Sequence, residues 1–249
     1  MKPRTVAEYT VHSPKIDRPR ILAVLSDLHN KTFQDIPAAC ARAEALLIAG
    51  DLIHRYPRRA ARGLDFLREM ASRMPTYYVY GNHEDLCGDA YAAEVRGTGA
   101  VLLNNAYCAH GGLVIAGLHL YDKPRLFGLH DRRDIGDGLA GAATRMLRAV
   151  EREEGFRLLL SHKPEHFARM VRAYDVDLTV SGHAHGGQIR ACGRGLYAPH
   201  QGILPRWTRG LYENNRLLVT TGASNTELVP RIGNPCEIVL LTLLPEAKE

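Results

Sequence analysis

One arrangement recurs along this chain and limits what it can fold into: a short apolar run, a turn, then a residue able to hold a metal ion. Five such places lie between Asp27 and His185. Ile21 to Leu25 precedes Asp27-Leu28-His29, Leu46 to Ala49 precedes Gly50-Asp51, and Tyr77 to Tyr80 precedes Gly81-Asn82-His83-Glu84. Leu158 to Leu160 leads into Ser161-His162, and Leu178 to Val180 leads into Gly182-His183-Ala184-His185. Runs this short and this apolar predict buried strands. A polar ligand just past a strand end sits at the carboxyl edge of a sheet, where open α/β sheets build their sites. Packing alone does not account for five repetitions.

Helical stretches separate the strands. The pattern predicts strands at 21–26, 46–49 and 76–80, with helices near 37–45, 58–73 and 89–97. The clearest helix is 58–73, where Leu64, Leu67, Met70 and Ala71 share a face. β-rich stretches at 101–109 and 113–118 read as a hairpin turning at His110-Gly111-Gly112. A helix at 139–153, a strand at 157–160, a helix at 164–173 and a strand at 177–181 follow, and the tail is β-rich at 187–190, 216–221 and 236–244. The expectation is one domain over 1–249, with 1–20 as an arm or edge strand, and βαβ units giving way to antiparallel strands.

Composition excludes several classes. At 45% hydrophobic and 24% charged residues, the chain can bury a core and present a polar surface. It holds no apolar run long enough to span a bilayer and no apolar leader, which predicts a cytoplasmic protein. Five scattered cysteines with no C-x-x-C pair argue against a disulfide framework and a thiolate zinc site. The formal charge of +5 suits an anionic substrate. No Lys/Arg run is interleaved with aromatics and there is one Trp, so a nucleic-acid stacking platform is not visible.

The clusters supply matched chemistry. Asp27 and His29 offer an oxygen and an imidazole nitrogen, and residues i and i+2 of an extended chain point the same way. Gly182-His183-Ala184-His185 repeats that spacing. Asp51 has two carboxylate oxygens and can bridge two ions roughly 3.5 to 4 Å apart. The Asn82 carbonyl can complete a mixed shell, with His83 beside it to face a substrate as proton donor. His162 adds another imidazole. A set of His, Asp and Asn without Cys favours manganese, iron or zinc.

In this order, D-x-H, GD, GNHE, a lone His and GHxH resemble the calcineurin-like metallophosphoesterase superfamily. Ser181 to Arg190, Arg209-Gly210-Leu211-Tyr212 and Arg231 to Ile238 are similar to its YkuE/YaeI-like phosphodiesterase branch. The resemblance implies a four-layer α/β/β/α sandwich with two mixed β-sheets and a dimetal site at one end. It implies that one ion takes Asp27, His29 and His185, the other Asn82, His162 and His183, with Asp51 as bridge and His83 as catalytic acid. Relatives often carry a carboxylate three places after the GD aspartate, where this chain has His54; Glu84 and Asp85 are the candidates to orient His83 instead. Branch members often carry an acidic pair after the central hairpin, where Leu118-His119 stands here, and an N-terminal anchor or export signal.

The expected activity is hydrolysis of phosphomonoester or phosphodiester bonds by a hydroxide held between two metals, on a phosphorylated small molecule or a lipid-linked substrate. Arg55 and Arg190 are candidate phosphate-facing cations. Alternatives are a pyrophosphate hydrolase acting on a nucleotide-linked lipid precursor of the UDP-diacylglucosamine type, a nuclease or nucleic-acid-binding protein, and an inactive scaffold. The scaffold ranks last because every expected ligand is present. Apolar and basic residues at 121–133 fit either an acyl chain or membrane face, or an ordinary lid loop, the favoured reading.

Overall fold

The computed structural model describes residues 4–54, 60–120, 137–199, 201–225 and 229–246. Arg55 and the 121–133 stretch lie outside these. In chain order the first half holds β1 (Thr5–Ser13), β2 (Arg20–Leu25), α1 (Ile36–Ala39), β3 (Ala45–Ala49), α2 (Ala61–Ala71), β4 (Thr76–Val79), α3 (Gly88–Arg96) and β5 (Val101–Leu102). Next come β6 (Ala106–His110), β7 (Leu113–Leu118), α4 (Asp137–Val150), β8 (Phe156–Ser161), α5 (Glu165–Arg169) and β9 (Leu178–Ser181). Short pairs β10 (Arg190–Ala191) with β11 (Arg194–Gly195), and β12 (Tyr197–Ala198) with β13 (Gly202–Ile203), precede β14 (Gly210–Tyr212), β15 (Leu217–Val219) and β16 (Glu237–Pro245).

Two six-stranded sheets result, ordered β1-β16-β2-β3-β4-β5 and β14-β15-β9-β8-β7-β6. Successive side chains on a strand point to opposite faces, and the burial records this. Leu22, Val24, Leu47 and Val79 of the first sheet pack against Ile115, Leu158, Leu160 and Val180 of the second. The alternate residues Ala23, Leu25, Leu46 and Ile48 pack outward on Leu64, Leu67 and Met70 of α2 and Val95 of α3. Val114, Ala116 and Leu159 do the same against Met146, Leu147 and Val150 of α4. These three apolar layers between four layers of structure are the α/β/β/α sandwich. Strands buried on both faces read as unbroken apolar runs, which is why they stand out in the sequence.

Three expectations change. The helix expected at 37–45 stops at Ala39 despite its alanines. Ala41 and Ala43 bond back three residues to Ala38 and Cys40, and Glu44 N–H then bonds Ile21 O at 2.9 Å to enter β3; tertiary pairing overrides helix propensity. The stretch 101–109 divides between sheets, because β5 pairs with β4 while β6 pairs with β7. The tail strand expected at 187–190 is not formed: β10 begins at Arg190, and His185–Gly187 form a 3-10 turn. As expected, antiparallel pairs enter after the first βαβ units, namely β6–β7, β10–β11, β12–β13, β14–β15 and β16–β2, while β7, β8, β9 and β15 run parallel. The leading segment is an edge strand, β1, parallel to β16.

Candidate metal centre

The parallel strands β2, β3, β4, β8 and β9 deliver their following residues to one edge. There the structure brings together Asp27, His29, Asp51, His83, His162, His183 and His185, all buried. Donor atoms of Asp27, His29 and His185 lie within 4.8 Å of one another, as do those of Asp51, His162 and His183. A third overlapping group joins His29, Asp51 and His83. Asp51 Oδ2 stands 3.1 Å from His162 Nε2, 3.9 Å from His29 Nε2 and 3.8 Å from His83 Nε2. His185 Nε2 is 3.6 Å from Asp27 Oδ1, and His183 Nδ1 is 3.2 Å from His162 Nε2.

The backbone at these residues is not extended. Asp27 (φ 54), His29 (φ 48), Asp51 (φ 52), His183 (φ 64) and His185 (φ 46) all lie in the left-handed region. The i, i+2 argument therefore gives the right residues for the wrong reason. His183 and His185 do not share a group but reach separate ones. Left-handed turns bend the chain sharply enough for neighbours to part in this way. Each costs a non-glycine residue about 1–2 kcal/mol, offset here by bonds such as Asp27 N–H to Gly50 O and His29 N–H to Asp51 O, both 3.1 Å. Gly81 serves by close approach and not by its turn, since a Cβ there would collide with the Asp51 carboxylate.

Surrounding groups aim the ligands. His162 Nδ1 donates to Ala49 O at 2.8 Å, which ties the second sheet to the first and leaves Nε2 facing Asp51. His29 Nδ1 sits 3.3 Å from Ile53 O. Asp27 Oδ2 accepts from Ser26 Oγ and from the His183 N–H, and Asp51 Oδ1 accepts from the His83 N–H at 3.0 Å. Arg231 Nη2 donates to His185 Nδ1 at 2.9 Å and to Ser224 O. Holding the far ring nitrogen in this manner fixes ring orientation at metal sites.

Glu84 has a different task from the one expected. Its carboxylate, fully buried, accepts the N–H groups of Asp51 and Ile53 at 3.0 Å and of Gly81 at 2.7 Å. It clamps the loop after β3 to the loop after β4. Asp85 accepts from His119 Nε2 at 2.7 Å, so the histidine standing in place of an acidic pair is itself paired. Arg190 does not face the site as a free cation; it donates to Gly186 O and Thr208 Oγ1, both at 2.9 Å, and to Gly193 O. The contributions of Ser26 and Ser224 carry no sequence signal, because single polar residues in loops are common, and the Arg231 to Ile238 segment marks Arg231 without showing that it aims His185.

Electrostatics separate the histidines. Burial pushes His29 down to about 3, against the pull of Asp51 and Asp27. For His162, burial also opposes the charged form, but the adjoining Asp51 carboxylate prevails and holds it up at about 9. Burial opposes ionisation of Asp51, yet His162 and His83 hold it well below the usual carboxylate range. Burial, then repulsion from Asp51, raises Glu84 to about 7.

The donor set fits metal ions. Asp27 Oδ1, His29 Nε2 and the Asn82 carbonyl oxygen are buried with no hydrogen-bond partner. A buried polar atom left unpaired costs about 1–3 kcal/mol, and Asp27 Oδ1 and His29 Nε2, 3.8 Å apart, call for a common partner. Oxygen and imidazole donors without sulfur suit borderline or hard first-row ions.

Comparison with known proteins agrees. The chain belongs to the calcineurin-like phosphoesterase family, whose profile matches residues 21–187. It is 25% identical over 97% of its length to an uncharacterised metallophosphoesterase of Helicobacter pylori and 27% identical over 98% to one of Campylobacter jejuni, covering 64% of each. It thus spans just under two thirds of the length of these relatives. It is also 27% identical over 96% of its length to a transmembrane protein with metallophosphoesterase domain of Bos taurus, of which it covers 56%. Among the described residues of this chain, no helix is long and apolar enough to cross a membrane.

Proposed function

We propose that the protein hydrolyses phosphomonoester or phosphodiester bonds with two metal ions, manganese first among the candidates. One ion is held by Asp27, His29 and His185, the other by Asn82, His162 and His183, with Asp51 between them. The position of Asp51 Oδ2 carries this reading, because it lies between His29 of one group and His162 of the other. Two ions there would supply positive charge against the phosphoryl oxygens and acidify a water molecule. His83 stands beside Asp51 with its backbone N–H pinned to that carboxylate, and its ring lies against those of His29 and His54. Its role is to donate a proton to the departing alkoxide. The Ser181 to Arg190 and Arg231 to Ile238 segments support the YkuE/YaeI-like branch, and with it a preference for diesters.

The test is turnover by manganese-loaded protein across p-nitrophenyl phosphate, bis-p-nitrophenyl phosphate, cyclic nucleotides, a nucleotide-linked lipid pyrophosphate and single-stranded DNA. Bis-p-nitrophenyl phosphate is expected to be cleaved, and chelation to abolish it. Cleavage confined to the lipid pyrophosphate would move the activity to the pyrophosphatase reading, and cleavage confined to DNA to a nuclease.

A further inference from the structure

A surface next to the metal centre remains unexplained by the chemistry. Ile203 is 82% exposed and Leu204 is 68% exposed, the highest values among the large apolar residues of the described chain. Both sit on the β12–β13 hairpin. Tyr197 pairs directly with Ile203, and Leu204 N–H bonds Leu196 O at 2.9 Å, so two cross-strand apolar pairs occupy one small projection. Tyr197 and Leu196 are exposed as well. Clustered exposed apolar residues of this kind mark interaction sites, unlike scattered ones.

The projection is firmly built at its base. Ala198 and Trp207 are buried in the same core as Ala184, between the two histidines of the last ligand turn. Leu196 N–H bonds Gly187 O at 3.1 Å, two residues beyond His185. Gln201 braces the hairpin by bonding both the N–H and the carbonyl of Trp207, at 2.9 and 2.8 Å. The apolar tip is therefore displayed by a rigid support and not by a loose end.

Its charge is one-sided. From residue 186 to 212 the chain carries Arg190, Arg194, Arg206 and Arg209 and no Asp or Glu; Glu213 pairs with Arg206 at 2.7 Å and Glu237 with Arg209 at 3.0 Å, so the unbalanced charge rests on Arg190 and Arg194. Arg194 has no carboxylate partner among the described residues, and it lines a cleft of about 420 Å³ together with Leu204, Pro205 and Arg206. An apolar tip with unbalanced positive charge beside it suits the boundary of an anionic bilayer, with side chains in the acyl region and the Arg194 guanidinium among headgroup phosphates. A second copy of the chain fits less well, since a two-fold contact would set each arginine cluster against its own image.

We propose that the β12–β13 hairpin docks the protein on anionic lipid surfaces. The inference rests on this surface and does not depend on the hydrolytic reading. If both hold, a phosphoester presented at a bilayer surface would meet the strand edge bearing His183 and His185.

Co-sedimentation of the full manganese-loaded chain with vesicles tests it. Phosphatidylcholine alone should leave the protein in solution, and phosphatidylcholine mixed with phosphatidylglycerol should carry it down, less so as salt is raised. Ile203→Asp and Leu204→Asp should each lower the bound fraction at least about tenfold, the size expected for moving an apolar anchor out of the interface. Both should keep wild-type hydrolysis of a soluble ester and wild-type circular dichroism. Wild-type protein that ignores anionic vesicles, or variants that bind as wild type does, would overturn the proposal. So would a gel-filtration shift from dimer to monomer in Ile203→Asp without lipid, which assigns the surface to self-association. Vesicle binding by a protein that cleaves no ester would retain this proposal and remove the hydrolytic one.

Discussion

The two halves of the metal basin are built from the same residue types, but they meet protons differently. In the half formed by Asp27, His29 and His185, burial has already made His29 neutral, with its proton affinity pushed down to about 3. In the half formed by Asp51, His162 and His183, the Asp51 carboxylate keeps His162 protonated up to about 9. An imidazole must be neutral to bind a metal. The first half is therefore ready for an ion, while the second must first give up a proton. Equivalent ligand sets on paper become unequal once one carboxylate leans 3.1 Å from one ring.

The largest expected effect tests a residue belonging to neither half. His83→Ala should retain two ions and lower kcat by roughly 10²- to 10⁴-fold, the range for losing a general acid. The loss should shrink on p-nitrophenyl esters, whose leaving groups need less protonation. Loss of metal in this variant, read by elemental analysis, would instead make His83 a ligand and redraw the boundary between the halves.

Asp51→Asn comes next. It keeps the shape but removes the negative charge that offsets repulsion between two close cations. After gel filtration the variant should hold one ion or fewer per chain against two in the wild type, with the second half losing affinity by about tenfold or more. Two tightly held ions in the variant would deny Asp51 its bridging place.

The smallest effect is a pH dependence. Between about pH 6 and 9, uptake of the first ion should change little, because His29 stays neutral throughout. Uptake of the second should strengthen about tenfold per pH unit, as the ion competes with one proton on His162, and then level off above about 9. The sign for the metal-free protein is opposite. A raised His162 pKa adds stability that is fully present below the unfolded value near 6.5 and is lost as pH rises through about 9. Parallel pH slopes for the two ions in a calorimetric titration would erase the asymmetry.

The sequence displays the basin because its ligands are polar residues set directly behind apolar strands, a contrast that survives without coordinates. The sandwich is equally legible, since buried parallel strands are apolar on both faces. What surrounds the ligands is not. Glu84 looks like a neighbour of His83, but its carboxylate points to backbone N–H groups of the loop after β3 and of its own loop. Arg190 looks like a phosphate cation, but backbone carbonyls take its donors. The splitting of 101–109 depends on which sheet offers a free edge, and α1 ends early because β2 claims Glu44. Three of these outcomes turn on partners distant in sequence, and the carbonyls that take Arg190, three and four residues away, are presented by irregular turns that the local pattern does not encode either.

The left-handed turns at Asp27, His29, Asp51, His183 and His185 also bear on how such a chain ages in evolution. At each, glycine would sit more easily than the residue present, and asparagine would be tolerated better than most. Backbone comfort and chemistry thus pull in opposite directions at five positions at once. A lineage no longer selected for turnover would gain stability by drifting there, and its site would be erased from the ligands outward while the sandwich stayed intact. Fold and metal affinity would thus part company in such a lineage, with the second lost well before the first.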